Sequence, residues 1–427
     1  MKACFLFGKK IEKIDKLILF MKTNQQKKTA FNTIIKTAAV FTALIMSVES
    51  LCAVGFRLPN QDPEAIARGD AFTATADDPS AIYYNPAGIT QLPGLQASDG
   101  LYVISADTTF SSPAGNAKTD TTPQLVPQLY ATYALTNLPL SFGLGVYAPY
   151  GLSLNYGNNT PFNTVAEKGS LLYATINPVV AWKITPKLSV AIGPDISLSQ
   201  LQLQQAIPFD PATRFNYSGE GWDAGYNAGI LWQPDPKWAF GVNYRSNTKI
   251  TYRGKSGQNF GAPFPASTAS SVSVPFPEYI TGGISFRPTP KWNFEFDLDY
   301  TKWSEVKSAT ISSTPFGAPA TLTLDFKNSF IYEFGVTRQL WDGYFASVGY
   351  EYSENSSPSA NYTPIIPDGN LNLGGMGFGH RGQRWDWMAA FQFAYGTRTV
   401  SGDNNAAADG NYRTFNKALN LSATYKF

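Results

Sequence analysis

The sequence predicts an all-β protein: a fourteen-stranded antiparallel transmembrane β-barrel with an N-terminal hatch, a segment that plugs the lumen. Three observations support this fold class. Most of the chain alternates apolar and polar residues, the connections have two distinct lengths, and the chain ends in an apolar strand with a terminal aromatic residue. Charged residues make up only 15% and aromatic residues 14% of the 427 residues. This composition is typical of a barrel with aromatic side chains at the membrane interfaces.

The alternation gives each predicted strand one apolar face and one charged face. Residues 292–300, WNFEFDLDY, place aromatic and aliphatic side chains on one parity and Asn, Glu and Asp on the other. Residues 238–252 and 322–336 follow the same scheme. Because side chains alternate faces along a strand, this pattern fits lipid outside and a wet lumen inside. Arg245, Lys249 and Arg253 share the predicted lumen-facing parity.

A soluble sandwich would alternate in a similar way. The strands here, however, commonly run to ten or more residues, whereas globular strands average about 5–6 residues. Short and long connections also alternate without a break, and six tight turns and seven loops join fourteen strands. The tight turns are at 136–139, 185–187, 234–237, 288–291, 340–343 and 382–383, and the long loops are at about 111–123, 149–170, 204–218, 254–275, 307–320, 355–370 and 401–411. Bacterial outer-membrane barrels have short periplasmic turns and longer outer loops, so both termini are predicted to be periplasmic.

Residues 1–53 are predicted to be a secretory signal peptide. Nine lysines stand against three acidic residues, an apolar run follows from Thr37 to Val48, and cleavage is expected near Ala53. Met21 is an alternative start, because Met21 to Ala53 alone forms a complete signal. Removal of the segment takes away both cysteines and lowers the net charge from +2 to about −4. A mildly acidic mature chain argues against nucleic acid as a partner.

The C-terminal stretch LNLSATYKF predicts the closing strand of the barrel. Leu419, Leu421, Ala423, Tyr425 and Phe427 share one face. Closure of the barrel would remove the exposed edge that such an apolar strand otherwise presents. The terminal Phe427 resembles the signature of barrels inserted by the outer-membrane assembly machinery, which is therefore a predicted partner together with outer-membrane lipids.

The segment 54–95 precedes the barrel, predicted at 96–427, and differs from it. A barrel of fourteen strands encloses a lumen wider than side chains alone can fill, so it needs a plug or it is a pore. The segment is rich in turn formers, and its Asp and Arg residues can pair with a charged inner wall. Asn85-Pro86 initiates a turn, because the residue before a proline avoids the α region. On spacing alone, an ordinary loop remains the alternative.

The stretch ARGDAFTATADDPSAIYYNPAGITQLPG resembles the hatch of the outer-membrane long-chain fatty acid transporter family (FadL type). An Asp-Asp pair followed after six residues by Asn-Pro-Ala is the hatch signature of that family. It corresponds here to Asp77, Asp78, Asn85, Pro86 and Ala87, with Gly88 following. Barrel segments such as INPVVAWKITPKLSVAIG and GISFRPTPKWNFEFDLDYTKWSEV continue the resemblance over the whole mature chain.

The resemblance implies passive uptake of a hydrophobic small molecule through a hatch-gated barrel in the outer membrane of a Gram-negative bacterium. It further implies lateral release near a kinked third strand, where Gly143 and Gly145 are the candidate kink residues. Packing of these glycines against the hatch is an equally good explanation. Candidate ligand contacts are Phe56, Leu58, Phe72, Arg245 and Lys249. The cations would meet a carboxylate, although pairing with acidic wall or hatch residues is the alternative.

Catalytic chemistry is not predicted. His380 is the single histidine, and no cysteine–histidine cluster or phosphate-binding loop is found, so we expect neither an enzyme nor a metal or other cofactor. Asp297 and Asp299 are expected to tune electrostatics or to hold the hatch. The cargo is most simply a long-chain fatty acid, and an aromatic hydrocarbon is the alternative. A general porin and a structural or adhesive barrel are the rival functions.

Overall fold

The structure, a computed structural model, describes residues 56–427; the predicted signal peptide, Met21 and Val54 lie outside the described residues. Fourteen antiparallel strands form a closed barrel, as predicted, and pairing of the first strand with both the second and the last closes the ring. The strands are β1 (Leu95–Ser112), β2 (Gly115–Lys118), β3 (Gln124–Ala134), β4 (Leu140–Tyr147), β5 (Leu152–Asn155), β6 (Lys168–Thr185), β7 (Leu188–Ile207), β8 (Asp210–Asp235), β9 (Trp238–Arg245), β10 (Thr248–Gln258), β11 (Ser267–Phe276), β12 (Tyr279–Thr289), β13 (Trp292–Thr301), β14 (Ser308–Ile311), β15 (Ala320–Thr323), β16 (Ser329–Gln339), β17 (Tyr344–Ser353), β18 (Leu371–Arg381), β19 (Trp385–Val400) and β20 (Gly410–Lys426).

Three of the barrel strands are interrupted. The third consists of β4 and β5, the seventh of β9 and β10, and the eighth of β11 and β12. The short strand β2 extends the hairpin of β1, and β14 and β15 form a separate hairpin in a long loop. All the tight turns lie at one end of the barrel and the long loops at the other, as the turn spacing predicted.

Two predicted loops, 204–218 and 254–275, are wrong in extent. In the second, β10 and β11 take up all but residues 259–266. Residues 204–218 mostly continue the ladder between β7 and β8, and only a short turn follows Ile207. The apolar alternation persists there, so Phe215 and Tyr217 turn inward and join a buried aromatic cluster. Packing of these rings favours continued pairing over the polar turn propensity of the segment.

The outer surface carries the apolar band that the alternation predicted. Phe296 and Leu298 of β13 are exposed, whereas Glu295, Asp297 and Asp299 of the same strand are at most 1% exposed. Along β8 the exposed Trp222 and Trp232 lie ten residues apart. At ~3.3 Å per residue and a tilt of ~40° this spacing covers about 25 Å, the height of the lipid-facing band of outer-membrane barrels.

Short helices accompany the strands. They are α1 (Pro63–Ala67), α2 (Ala81–Tyr84) and four 3-10 turns at Pro86–Gln91, Trp303–Glu305, Ser359–Asn361 and Ala406–Ala408. Among residues 56–427 no helix has both the length and the apolar character needed to cross a membrane. Both α-helices precede β1, in a stretch that the barrel wall surrounds.

Candidate functional site

Residues 56–94, here called the N-terminal segment, lie inside the ring of strands. Almost every residue from Phe56 to Ile89 is buried, and the segment contacts strands on opposite sides of the barrel, from β3 and β4 through β8 to β17–β20. The Asp62 carboxylate caps α1 by accepting from the Glu64 N–H at 2.7 Å, and Pro63 occupies the first helical turn. The turn formers seen in the sequence therefore build a compact fold rather than an open loop.

The Asp-Asp and Asn-Pro-Ala motif makes contacts both within the segment and to the wall. Asp77 forms an ion pair with Arg381 of β18 at 3.1 Å. Asp78 accepts from the Ser80 N–H at 2.7 Å, immediately before α2. Asn85 donates from its side-chain amide to the carbonyl oxygens of Thr73, at 2.8 Å, and of Ile230 in β8, at 3.0 Å. One asparagine thus joins two parts of the segment to the barrel.

The remaining motif residues fit by close packing. A Cβ built on Gly229 of β8 would lie 2.8 Å from Pro86 Cδ, and one built on Gly88 would lie 2.6 Å from Ala76 Cβ. Ala87 is fully buried in the same apolar cluster as Ile82. Small residues are required at these positions because larger side chains would displace backbone.

Three carboxylates of β13 hold the segment. Asp299 binds the Arg57 guanidinium through two hydrogen bonds of 2.7 and 2.8 Å. Asp297 accepts from the backbone N–H groups of Phe72 and Thr73, at 2.9 and 2.7 Å. The sequence named Asp297 and Asp299 as residues that hold a hatch, and this geometry agrees with that expectation.

Glu295 is the third carboxylate of β13 that binds the segment, and it was not among the residues predicted to do so. It pairs with Arg68 at 2.6 Å and accepts from the N–H groups of Ala74 and Thr75, at 2.7 and 3.1 Å. Both side chains of the ion pair are 0% exposed. The signal was present in the sequence, since Glu295 shares the lumen-facing parity of the two aspartates.

Glycines of the wall allow the backbone of the segment to approach closely. A Cβ on Gly335 would lie 2.6 Å from Arg68, and one on Gly349 would overlap the Arg68 carbonyl carbon. Gly241 and Gly375 are constrained in the same way by Thr73 and Ile66. The interior of the barrel is therefore shaped to the N-terminal segment.

The predicted ligand contacts do not converge on one cavity. Phe56 packs edge-on against Trp303, with ring centres 5.0 Å apart, in an aromatic cluster near the long loops. Phe72 packs against Tyr84 inside the segment itself, at 5.6 Å. Leu58 is buried, and its N–H donates to the Pro149 oxygen at 2.8 Å. A ligand role for these three residues remains a prediction.

Arg245 lies in the interior, but it already has a partner. Its guanidinium pairs with Asp195 of β7 at 2.6 Å, and both side chains are at most 5% exposed. The aromatic rings of Tyr83, Tyr147 and Tyr279 surround it at 5.3 to 5.9 Å. This is the acidic pairing that the sequence left open as the alternative to carboxylate binding.

The prediction that Lys249 and Arg253 face the lumen is wrong. Both are exposed, whereas Ile250 and Tyr252, which lie between them in the chain, are 0% exposed. The seventh strand is interrupted at residues 246–247, and this interruption reverses the alternation between β9 and β10. A one-residue shift moves every following side chain to the other face.

The third strand has a break that places a gap in the wall. β3 pairs with β4 only from Leu129 onwards, and β5 pairs with β6. Within residues 56–427 no ladder joins residues 124–128 of the second strand to the third strand. The break lies at residues 148–151, whereas Gly143 and Gly145 lie in continuous β4, where a Cβ would meet Ile82 at 2.9 to 3.0 Å. Their role as a kink stays a prediction.

The N-terminal segment fills this gap. Gln61 donates from its side-chain amide to the Ala148 oxygen at 2.9 Å and accepts from the Ala148 N–H at 3.3 Å. Gln128 and Tyr130 of β3 donate to the backbone oxygens of Asn60 and Gln61, each at 3.0 Å. The segment thus bonds to the backbone of Ala148 at the break and to two side chains of the adjacent strand.

Acidic groups of the segment face the end with the short turns. Burial, together with the Glu64 carboxylate, raises the pKa of Asp78 to about 7. Burial opposes ionisation of Asp77 too, but the Arg381 guanidinium outweighs it and holds the pKa of Asp77 below its ordinary value. Two adjacent carboxyl groups therefore titrate in different pH ranges because only one has a cationic partner.

A closed fourteen-stranded barrel with an apolar belt and a folded segment inside it defines an outer-membrane transport protein. The chain belongs to the family described as outer membrane protein transport protein (OMPP1/FadL/TodX), whose model matches residues 44–427. The long-chain fatty acid transport protein of Escherichia coli K12 is 25% identical over 391 residues, which covers 80% of this chain and 86% of that protein.

Solved structures show the same fold. A FadL homologue of Pseudomonas aeruginosa superposes with a TM-score of 0.79 at 17% identity, covering 87% of this chain and all of that chain. The toluene transporter TodX of Pseudomonas putida superposes with a TM-score of 0.69 at 17% identity, covering 87% and 99%. The expected family, fold and outer-membrane location are confirmed.

Proposed function

We propose that this protein carries long-chain fatty acids across the outer membrane by passive diffusion, with the N-terminal segment as hatch and lateral release through the wall gap. The observation that carries the proposal is the Gln61–Ala148 contact, where the segment covers the one break in the third strand. Movement of a few residues there would open the interior toward lipid. Apolar cargo would gain about 25 cal/mol per Å² of surface that leaves water.

Support for the cargo comes from the relatives, since the similar Escherichia coli protein is a long-chain fatty acid transport protein. Aromatic hydrocarbons are the alternative cargo, because a toluene transporter shares the fold. Uptake of radiolabelled oleate and of toluene, in a knockout with and without this gene, separates the two. Restored oleate uptake supports the proposal, and restored toluene uptake alone favours the alternative.

A general porin is the principal rival function. The filled interior argues against it, because Arg57 and Arg68 of the segment are held by buried carboxylates of the wall. Removal of residues 56–94 should therefore raise ion conductance in planar bilayers sharply over that of the full chain. Unchanged conductance would overturn the assignment of the segment as a hatch.

A further inference from the structure

A cavity of about 460 Å³ opens at the end of the barrel with the short turns, between the N-terminal segment and the wall. The segment contributes Glu64, Thr75 and Asp77, and two neighbouring turns contribute most of the other side. Short turns of outer-membrane barrels face the periplasm. The cavity is therefore distinct from the interior aromatic cluster and from the wall gap.

Two copies of one sequence motif meet at this cavity. Pro-Lys-Trp is found at 236–238 and again at 290–292, and Pro236, Lys237, Pro290, Lys291 and Trp292 all line the cavity. The copies are neighbours because β9 pairs with β12, with Trp238 opposite Phe286. The similar turn at 185–188, which contains Lys187, does not line it.

Backbone hydrogen bonds hold in place the two turns that carry the lysines of this cavity. The Lys237 oxygen accepts from the Arg287 N–H at 2.7 Å, and the Lys291 oxygen accepts from the Gln339 N–H at 2.8 Å. Asp235 further fixes the first turn by accepting from the Lys237 N–H at 2.8 Å. Both lysines are exposed to water.

The cavity has an excess of positive charge. Its lining includes Lys237, Arg287, Lys291 and Arg381 against Glu64 and Asp77. Both acids are bound to Arg381, at 2.7 and 3.1 Å. Among residues 56–427, no carboxylate lies within ion-pair distance of Lys237, Arg287 or Lys291.

Arg287 provides the second sign of a ligand. Its Nη2 is buried and has no hydrogen-bond partner. A buried guanidinium nitrogen without an acceptor is unfavourable, and a carboxylate or phosphate oxygen would supply the missing acceptor. The two lysines would add attraction at the rim without fixing geometry.

We propose that this cavity binds the oxyanionic head group of an amphiphile at the periplasmic interface, with Arg287 as the central contact and Lys237 and Lys291 at the rim. Trp292 in the lining offers an apolar surface to the adjoining alkyl chain. Two sources share this chemistry: the carboxylate of a fatty acid that leaves the barrel, and the phosphate of an inner-leaflet phospholipid. The first source rests on the proposed function, and the second does not.

The first experiment measures binding of decanoate, decyl phosphate and decanol to the full chain in detergent by isothermal titration calorimetry. The native protein should bind the two anions at least tenfold more tightly than decanol, and Arg287→Gln should abolish that preference. Lys187→Gln is the matched control and should leave it unchanged. Equal binding of anion and alcohol, or an unaltered preference in Arg287→Gln, overturns the proposal.

The exposed pair provides a second variant that does not threaten folding. Lys237→Gln combined with Lys291→Gln should weaken anion binding severalfold and reduce the dependence of that binding on salt. An unchanged affinity and salt dependence would count against the rim lysines and overturn the proposed site.

Native mass spectrometry of the protein in nanodiscs that contain phosphatidylglycerol and oleate then identifies the natural source of the anion. The source is the molecule that stays bound to the native protein and is lost from Arg287→Gln. Loss of either supports the site, and loss of neither overturns it. Oleate uptake in cells is scored separately, so failure of this site and failure of the proposed transport are distinguishable.

Discussion

The side-chain amide of Gln61 hydrogen-bonds to both the N–H and the carbonyl oxygen of Ala148, at 3.3 and 2.9 Å, where the third strand is interrupted. A glutamine amide offers one acceptor and two donors, so it replaces the contacts of a neighbouring strand. Release through the wall would require these two hydrogen bonds to break. This contact makes Gln61 the first residue to test.

Gln61→Leu should loosen the wall at the gap. Loss of the two hydrogen bonds to Ala148 costs about 1–3 kcal/mol, which corresponds to an open population roughly 5- to 150-fold larger. Hydrogen exchange of the Ala148 N–H should rise by about that factor, and oleate uptake should rise with it. Gln91→Leu is the control, because Gln91 bonds to Thr75 and Ala76 away from the gap. Unchanged exchange at Ala148 would contradict the proposed contact.

Gly349→Ala should displace the N-terminal segment. The added methyl group would overlap the Arg68 backbone, and overpacking of this kind costs about 1–3 kcal/mol. We expect a lower unfolding temperature and a higher ion conductance in planar bilayers. Gly282→Ala places the same methyl group on the exposed face of β12, where no atom lies within 4 Å, and should behave like the native protein. Equal behaviour of the two variants would refute the close fit.

Glu295→Gln should destabilise the docking of the segment. The substitution leaves the buried Arg68 guanidinium without its ion-pair partner, and breaking a buried pair costs about 3–5 kcal/mol. The temperature at which the folded band is lost in heat-modifiability gels measures this change. Glu305→Gln removes a carboxylate from the partly exposed pair with Lys302, which is worth little, and should leave that temperature nearly unchanged.

The stability of the folded protein should fall as pH rises toward 7 and above through Asp78. The pKa of this carboxyl is raised to about 7 by burial and by Glu64, from an ordinary value of 3.8. The folded state therefore holds a proton that the unfolded chain has lost, so the stabilisation is complete below about pH 4 and disappears through pH 7. Unfolding temperatures at pH 5 and pH 8 should differ less in Asp78→Asn than in the native protein. Asp77, whose pKa is lowered, contributes no change in that range.

The sequence by itself determined the strand count, the lipid-facing parity of residues 292–300 and the segment that fills the barrel. The first two features follow from alternation and turn spacing, which are local. The third follows from the resemblance of residues 67–94 to a known hatch, since spacing alone left an ordinary loop open. The partner of Arg245 and the outward position of Lys249 were decided by the tertiary structure. A break of two residues in the seventh strand reverses the alternation of inward and outward side chains. The pattern of apolar and polar residues around the break did not predict that reversal.

The convergence of distant residues was also decided only in three dimensions. Gln61 meets Ala148, and the turns at 234–237 and 288–291 meet across one cavity, because strand register brings together residues far apart in the chain. Register depends on pairing along whole strands and on closure of the ring. Spacing predicts which residues face inward only along an uninterrupted strand, and closure of the ring decides which of them touch.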